Sequence, residues 1–200
     1  MKMIQKTIVL ILLAVSGVVP KTIHAQNLDL DILKGINPQN PGSTYWSVTS
    51  SSVYWLPATI SAAEFAYGVV NHDNKAKTYA FQLLLNIGVS TAVSEALKYS
   101  FNRARPAESY PGIIHANSVV YGKSFPSGHA TIAFATATTL ALQYKKWYVI
   151  VPAFIWAGTV SYSRMYEGYH YPSDVLAGAL TGTGSSLLMF WVNKKLFKKR

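Results

Sequence analysis

The sequence of 200 residues contains no cysteine and few charged side chains. Without cysteine, neither disulfide bonds nor thiolate metal sites can form. Charged residues make up 13% of the chain, well below the usual quarter or so. The acidic residues are scattered along the chain: Asp29, Asp31, Glu64, Asp73, Glu95, Glu108, Glu167 and Asp174. A centre of two metal ions held by carboxylates is therefore not expected.

The positive charges outnumber the negative ones, and the formal net charge is +10. Such a charge can indicate nucleic-acid binding. Here, however, the basic residues form short clusters between apolar segments, not a stripe along one element, and half of the chain is hydrophobic. This distribution favours a membrane as partner and argues against nucleic acid.

Five segments are predicted to be helices of about the length of a bilayer span. They contain Ser, Thr, Gly and Ala, which suit close helix packing in lipid. None is a pure Leu or Ile run, so a soluble helical protein is the alternative. The expected fold is an all-α bundle of five to six transmembrane helices with the active site at the outer helix ends. The segments are Val53–Val70, Thr78–Tyr99, Ser127–Tyr144, Trp147–Tyr166 and Ser173–Val192.

The loops between these segments alternate in positive charge. Lys75 and Lys77 follow the first segment, Lys145 and Lys146 follow the third, and a Lys/Arg cluster follows the fifth. Cytoplasmic loops carry such an excess of Lys and Arg. The other loops, residues 99–126 and 167–172, are therefore expected to face outward.

The N-terminal part divides into two regions before the main domain of residues 53–200. Residues 1–25 resemble a signal peptide, with a positive start and an apolar run too short for a comfortable span. An uncleaved first transmembrane helix is the alternative. Residues 26–52 are polar and are predicted to form an extracytoplasmic loop or a short amphipathic segment that ends at Trp46.

The stretch from Ser163 to Asp174 combines an arginine, a histidine and an aspartate. Pro172 suits the first turn of a helix, which places His170 just ahead of that helix and Asp174 in its first turn. A carboxylate that holds one ring nitrogen of a histidine leaves the other free to attack. Arg164 adds a planar cation suited to phosphate. The alternative is a loop histidine bonded to an aspartate that merely caps the helix.

A second stretch, Lys98 to Pro106, places Lys98 at a helix end and Arg105 in the loop before the proline. A cation at the C-terminal end of a helix is favourable in its own right, so a simple cap is the alternative for Lys98. Arg103 is expected to face solvent or lipid headgroups and to take no part in catalysis.

A third stretch, Phe125 to His129, opens another predicted helix. Gly128 lets an anion approach the backbone, and the free amides of a helix start form a phosphate cradle together with the Ser127 hydroxyl. His129 lies beside this cradle and suits a general acid. Taken alone, the stretch also fits a helix cap with a nearby histidine.

Together the three stretches read Lys-x6-Arg-Pro, then Pro-Ser-Gly-His, then Ser-Arg-x5-His-x3-Asp, over residues 98–174. This pattern resembles the type 2 phosphatidic acid phosphatases (PAP2), whose superfamily includes bacterial class A acid phosphatases and vanadium haloperoxidases. The resemblance covers all three motifs without a departure.

The resemblance implies a role for each motif residue. His170 would attack phosphorus and form a phosphohistidine, Asp174 would orient it, and His129 would protonate the leaving oxygen and later help to activate water. Neither metal nor another cofactor is implied. The residues that would hold the phosphate oxygens are Lys98, Arg105, Ser127, Gly128 and Arg164.

The expected protein is therefore a phosphatase of the bacterial inner membrane that faces the periplasm and acts on a lipid phosphate or pyrophosphate. Candidate substrates are lipid A phosphates, undecaprenyl pyrophosphate, phosphatidylglycerophosphate and phosphatidic acid. The main alternative is a soluble secreted acid phosphatase of the same superfamily. A haloperoxidase and a non-catalytic helical membrane scaffold are less favoured, because such haloperoxidases are much longer and because the motif residues are complete.

Overall fold

The computed structural model describes residues 22–119 and 121–197, and all regular structure in that part of the chain is helical. Long helices lie along the bundle, and one short helix follows the third of the series. In chain order they are α1 (Thr22–Ile36), α2 (Thr44–Val70), α3 (Asn74–Phe101), α4 (Pro106–Ser109), α5 (Gly128–Tyr144), α6 (Trp147–Tyr166) and α7 (Pro172–Phe197).

The helical class and the five predicted segments are confirmed as α2, α3, α5, α6 and α7. The start of α2 is the largest difference, because the helix begins at Thr44 instead of Val53. Trp46 therefore lies inside a helix and does not end a separate segment. Its ring packs against Tyr162 and Tyr166 of α6, with ring centroids 4.9 and 5.5 Å away. These contacts stabilise the first turns of α2, although the sequence of those turns is polar.

Helix α1 occupies much of the segment that was predicted as a loop or a short amphipathic stretch. Asp29 and Leu33 lie one turn apart and are both buried. Leu33 packs in a small apolar cluster with Ile114 and Tyr171, at the base of the outer loop. The signal peptide or first span predicted for residues 1–25 falls almost entirely outside the described residues, and it stays a prediction.

Helix α5 occupies the middle of the bundle and packs against α3, α6 and α7. Its contact with α7 is close because α7 presents glycines. A Cβ on Gly182 would lie 2.2 Å from the carbonyl oxygen of Thr131, and one on Gly178 would lie 2.5 Å from that of Ser127. Small residues at helix crossings let backbones approach in this way.

The interior of the bundle is rich in small polar side chains, and large apolar side chains lie on its outside. Leu180 is 66% exposed and Ile155 is 64% exposed, whereas Ser90 and Thr131 are fully buried. In the interior, Asn86 of α3 donates a hydrogen bond to Thr139 of α5 over 2.9 Å. Small and polar residues between helices, with apolar residues outside, are typical of helices packed in lipid.

Two segments of the described chain are long and apolar enough to cross a bilayer, Asn74–Ser109 and Pro172–Lys194. The predicted number of five to six spans stays a prediction. Helices α3 and α6 end, and α5 and α7 begin, at the same end of the bundle. A short loop joins α6 to α7. The Ser127 amide at the start of α5 donates to the Asp174 carbonyl oxygen in α7, and the Ser124 amide before α5 donates to the Arg103 carbonyl oxygen after α3. That end carries the motif residues.

Candidate active site

His170 lies in the loop between α6 and α7 and is only 2% exposed. Its Nδ1 is 3.6 Å from Oδ2 of Asp174, slightly longer than a hydrogen bond. Its Nε2 is 3.5 Å from a guanidinium nitrogen of Arg105. Burial lowers the pKa of His170 to about 4, although the negative charge of the nearby Asp174 acts in the opposite direction. The imidazole is therefore neutral near pH 7 and keeps a lone pair.

Asp174 is fully buried in the first turn of α7. Its Oδ2 accepts a hydrogen bond from the amide of Tyr171 over 2.9 Å and a short one from the hydroxyl of Ser124. Its Oδ1 accepts a hydrogen bond from Arg103 over 2.7 Å. The aspartate thus caps the helix, as the simpler alternative proposed, and also lies beside the histidine ring.

The prediction that Arg103 faces solvent is wrong. Its side chain is only 25% exposed and forms ion pairs with Asp174, at 2.7 Å, and with Asp29, at 2.9 Å. The guanidinium lies 3.9 Å from the centre of the Tyr171 ring. Asp29 belongs to α1, 74 residues earlier in the sequence, and a pair that distant leaves no local pattern. No local pattern therefore predicts that this arginine is partly buried.

The start of α5 is joined to the start of α7. Ser127 is the N-cap of α5, and its hydroxyl oxygen accepts a long hydrogen bond of 3.5 Å from the amide of Ala130. The amide of Ser127 donates to the carbonyl oxygen of Asp174 over 3.0 Å. The Lys98 ammonium lies 3.6 Å from the position that a Cβ on Gly128 would take. This lysine also forms an ion pair of 2.7 Å with Glu95.

His129 is the second residue of α5. Its ring meets that of Tyr54 edge to face, with centroids 5.2 Å apart. The imidazole interacts electrostatically with three cationic side chains, Arg164, Lys98 and Arg105, and also with His170. The two motif histidines therefore share one electrostatic environment.

Arg164 lies in the last turn of α6 and is buried. Its guanidinium donates to Glu167 over 3.0 Å and to the hydroxyl of Ser50 over 2.5 Å, and it lies 4.3 Å from the centre of the Tyr169 ring. One carboxylate thus compensates its charge, and the ring fixes its plane.

Arg105 precedes α4 and connects three parts of the outer loops. It donates to the carbonyl oxygen of Tyr169 over 2.9 Å and to that of Gly122 over 3.2 Å. A cavity of about 600 Å³ opens beside it, lined also by Glu108, Lys123 and Tyr169. Arg105 thus lies between His170 on one side and an open space on the other.

All eight motif residues predicted for the site lie at this end of the bundle. Sequence reasoning missed several side chains that hold them in place. Only Glu167 had a local signal, because it lies three residues after Arg164 on the same helical face. The missed residues are Asp29, Ser50, Tyr54, Arg103, Ser124 and Glu167.

Comparison with known proteins gives consistent results. Residues 79–198 match the PAP2 superfamily. The chain is 29% identical to the lipid A 4'-phosphatase of Bacteroides thetaiotaomicron, over 77% of this chain and 72% of that protein. The crystal structure of Aquifex aeolicus LpxE is 27% identical, with a TM-score of 0.65 over 82% of this chain and 95% of that one.

A second solved structure shows the same fold at lower identity. It is the PAP2 type phosphatidylglycerolphosphate phosphatase from Bacillus subtilis, which is 22% identical. Its TM-score is 0.71, and the likeness covers 97% of this chain and 98% of that one.

Proposed function

Because the chain belongs to the PAP2 superfamily, we propose that it is a membrane phosphatase that hydrolyses an envelope lipid phosphate at the periplasmic face. The arrangement around His170 carries this proposal. A neutral, buried imidazole has Asp174 at one ring nitrogen and the cationic Arg105 at the other. This is the geometry of an oriented nucleophile beside a group that binds phosphate.

The reaction has two steps. The lone pair on Nε2 of His170 attacks phosphorus, the bond from phosphorus to the leaving oxygen breaks, and His129 gives a proton to that oxygen. Water then attacks the phosphohistidine, His129 takes a proton from the water, and the bond from phosphorus to nitrogen breaks to release phosphate. Asp174 supports the imidazolium that forms in the first step.

The cations and the start of α5 would stabilise the transition state. Phosphoryl transfer spreads negative charge over three equatorial oxygens, and fixed cations and amides lower its energy. Lys98, Arg105 and Arg164 supply the cations, and the Gly128 amide with the Ser127 hydroxyl supplies hydrogen bonds. No metal ion takes part in this scheme.

A lipid substrate is supported by the surface of the bundle and by the relatives. Large apolar side chains are exposed around the helices, so acyl chains can stay in the bilayer while the phosphate reaches the helix ends. The cavity of about 600 Å³ beside Arg105 leaves room for the group that carries the phosphate. Among the candidates we favour lipid A phosphate or undecaprenyl pyrophosphate, since the proposed site faces away from the cytoplasm.

The lysine pairs support the proposed orientation. Lys75 and Lys77 lie at the junction of α2 and α3, and Lys145 and Lys146 lie at the junction of α5 and α6. Both junctions are at the opposite end of the bundle from His170. By the positive-inside rule those junctions are cytoplasmic, so the site would face the periplasm.

The test compares kcat/KM for a panel of lipid phosphates in mixed micelles with that for p-nitrophenyl phosphate, using purified protein and a His170→Ala control. We expect a lipid to be turned over far better than the soluble ester, because binding of its chains can be used to lower the barrier at phosphorus. Equal or better efficiency on the soluble ester would replace the lipid proposal with a general acid phosphatase, the main alternative.

A further inference from the structure

The buried carboxylate of Asp29 joins helix α1 to the active-site scaffold. Asp29 accepts a hydrogen bond from the amide of Ser173 over 3.0 Å and a short one from the hydroxyl of the same residue. It also accepts one from Arg103 over 2.9 Å. Ser173 is the second residue of α7, so an aspartate from another helix caps the helix that carries Asp174.

Arg103 connects Asp29 with Asp174. One guanidinium nitrogen donates to both the Ser173 hydroxyl and Oδ1 of Asp174, each over 2.7 Å, and the other nitrogen donates to Asp29. The Tyr171 ring covers the flat face of the guanidinium at 3.9 Å. Every group in this network is therefore held by at least two others.

A second set of hydrogen bonds fixes the chain just after α1. The Asn37 amide nitrogen donates to the carbonyl oxygens of His115 and Tyr166, each over 2.8 Å. The Asn37 oxygen accepts from the amide of His115 over 2.8 Å. The segment is thus fixed at one point to the start of α7 and at another to the outer loop and the end of α6.

From these contacts we propose that Asp29 and Arg103 are positioning residues: they fix Asp174 and the start of α7, and so hold the His170 ring in its attacking orientation. This makes α1 a part of the active site, although it lies outside the matched region of residues 79–198. The inference rests on the proposed function, because it assigns an effect on the same reaction.

The physical reason lies in the charge of Asp174. A fully buried carboxylate is costly unless it is paired and hydrogen-bonded. Arg103 supplies the compensating charge, and Asp29 holds the arginine in the plane where it reaches Oδ1. Without them, the carboxylate would turn toward other donors, and the neighbouring imidazole would lose its orienting partner.

The test uses Asp29→Asn, Arg103→Gln and the double variant, with Asp31→Asn as matched control. Asp31 lies on the same helix, is well exposed and pairs only with Lys34 in the part of the chain described here. Each single variant is expected to lower kcat by about 10- to 100-fold, as loss of groups that orient a reactive ligand does elsewhere. KM should change little, because these side chains are not placed to contact substrate. The double variant should lose less than the product of the single losses, because both act through Asp174.

A pH profile separates positioning from simple loss of stability. The charged or titratable groups that face His170 are Asp174 on α7, Arg105 in the outer loop, Arg164 on α6 and His129 on α5. Removing Arg103 leaves the Asp174 charge uncompensated, so the acid limb of kcat/KM should move to higher pH in Arg103→Gln. Arg103→Lys keeps the positive charge, so the acid limb of kcat/KM should return part of the way to its wild-type pH.

The outcomes are distinct. If Asp29→Asn, which keeps the side-chain shape, has the kcat and the pH profile of the wild type, the inference is wrong. If the wild type releases phosphate from no lipid, the proposed function fails instead. If Arg103→Gln does not fold, the comparison of Asp29→Asn with Asp31→Asn decides alone.

Discussion

His170 has a different charged neighbour at each ring nitrogen and almost no contact with solvent. We expect His170→Ala to abolish turnover, because no other described side chain occupies its place between Asp174 and Arg105. His129→Asn should lower kcat by about 10² to 10⁴, the usual contribution of general acid and base catalysis. Phosphate release from a lipid phosphate is the measurement. Near-normal turnover in His170→Ala would remove the nucleophile from the scheme.

The same burial predicts an unusual pH dependence. Burial lowers the pKa of His170 to about 4, whereas a free histidine titrates near 6.5. The nucleophile must be unprotonated, so the acid limb of kcat/KM should lie near pH 4 once the substrate's own titration, near pH 6, has been measured and corrected for. The same shift affects the free energy of unfolding. Because the pKa of His170 is lower in the folded chain than in the unfolded one, the contribution of this group to stability is complete above about pH 6.5 and is lost as the pH falls towards 4. An acid limb at the ordinary histidine value would contradict the buried imidazole.

The three site cations lead to a prediction about metal removal. If Lys98, Arg105 and Arg164 stabilise the transferred phosphoryl group, EDTA should leave activity unchanged. Vanadate should inhibit, because it adopts the five-coordinate geometry that these cations would stabilise. Both effects are measured on phosphate release by the purified protein. Loss of activity in EDTA that magnesium restores would show that the cations are not sufficient.

At this scale the sequence predicts the residues that are proposed to bind the phosphate better than the residues that hold them in place. Lys98, Ser127 and His170 stand in short motifs whose spacing is local. Arg103 stands in the same stretch as Arg105, but its partner Asp29 is 74 residues away. Such a pair can be recognised only when the position of α1 in the fold is known. That position depends on tertiary packing and not on a pattern within a short stretch of sequence.

At the scale of elements, α5 and α7 approach each other closely at Gly182. A Cβ on Gly182 would lie 2.2 Å from the Thr131 carbonyl oxygen and 2.8 Å from the Ala135 amide nitrogen, and neither backbone atom can move easily. Gly182→Ala should therefore destabilise the protein by about 1–3 kcal/mol, the usual cost of overpacking. A thermal melt in detergent measures this change.

Gly184→Ala is the matched control on the same helix. A Cβ there would have nothing within 4 Å, and alanine is favoured over glycine inside a helix by about 0.5–1 kcal/mol. The melting temperature should stay equal or rise. Equal losses of melting temperature in the two variants would contradict the prediction, because of the two glycines only Gly182 lies at the close crossing.

The long apolar segments predict the five main helices to within a few residues except at the start of α2, because length and composition suffice for their apolar parts. Helix α1 and the first turns of α2 are polar, and their helical state depends on contacts with distant residues. Leu33 packs against Ile114 and Tyr171, and Trp46 packs against Tyr162 and Tyr166. A prediction from local composition alone therefore assigns too few of residues 26–52 to helices.

At the scale of the whole molecule, the distribution of side chains indicates a lipid environment. Leu176, Leu180 and Ile155 are among the large apolar residues that lie exposed on the outside of the bundle, while serine and threonine side chains fill positions between helices. A soluble helical protein shows the reverse arrangement. The alternative of a soluble secreted phosphatase would leave this apolar surface in water, where large exposed patches promote association.

The orientation of this bundle can be tested with a reporter fused to the C-terminal end of the sequence. Helix α7 begins at the end of the bundle that carries His170 and runs away from it, toward the end where Lys75, Lys77, Lys145 and Lys146 lie. Lys194 and Lys195, near the end of α7, add positive charge at the same end. Since positive loops stay in the cytoplasm, a fused alkaline phosphatase should be inactive there, whereas a fused fluorescent protein should fold and emit. The opposite pair of results would place the histidines in the cytoplasm. The substrate would then have to be a lipid of the inner leaflet, even if the chemistry at His170 were unchanged.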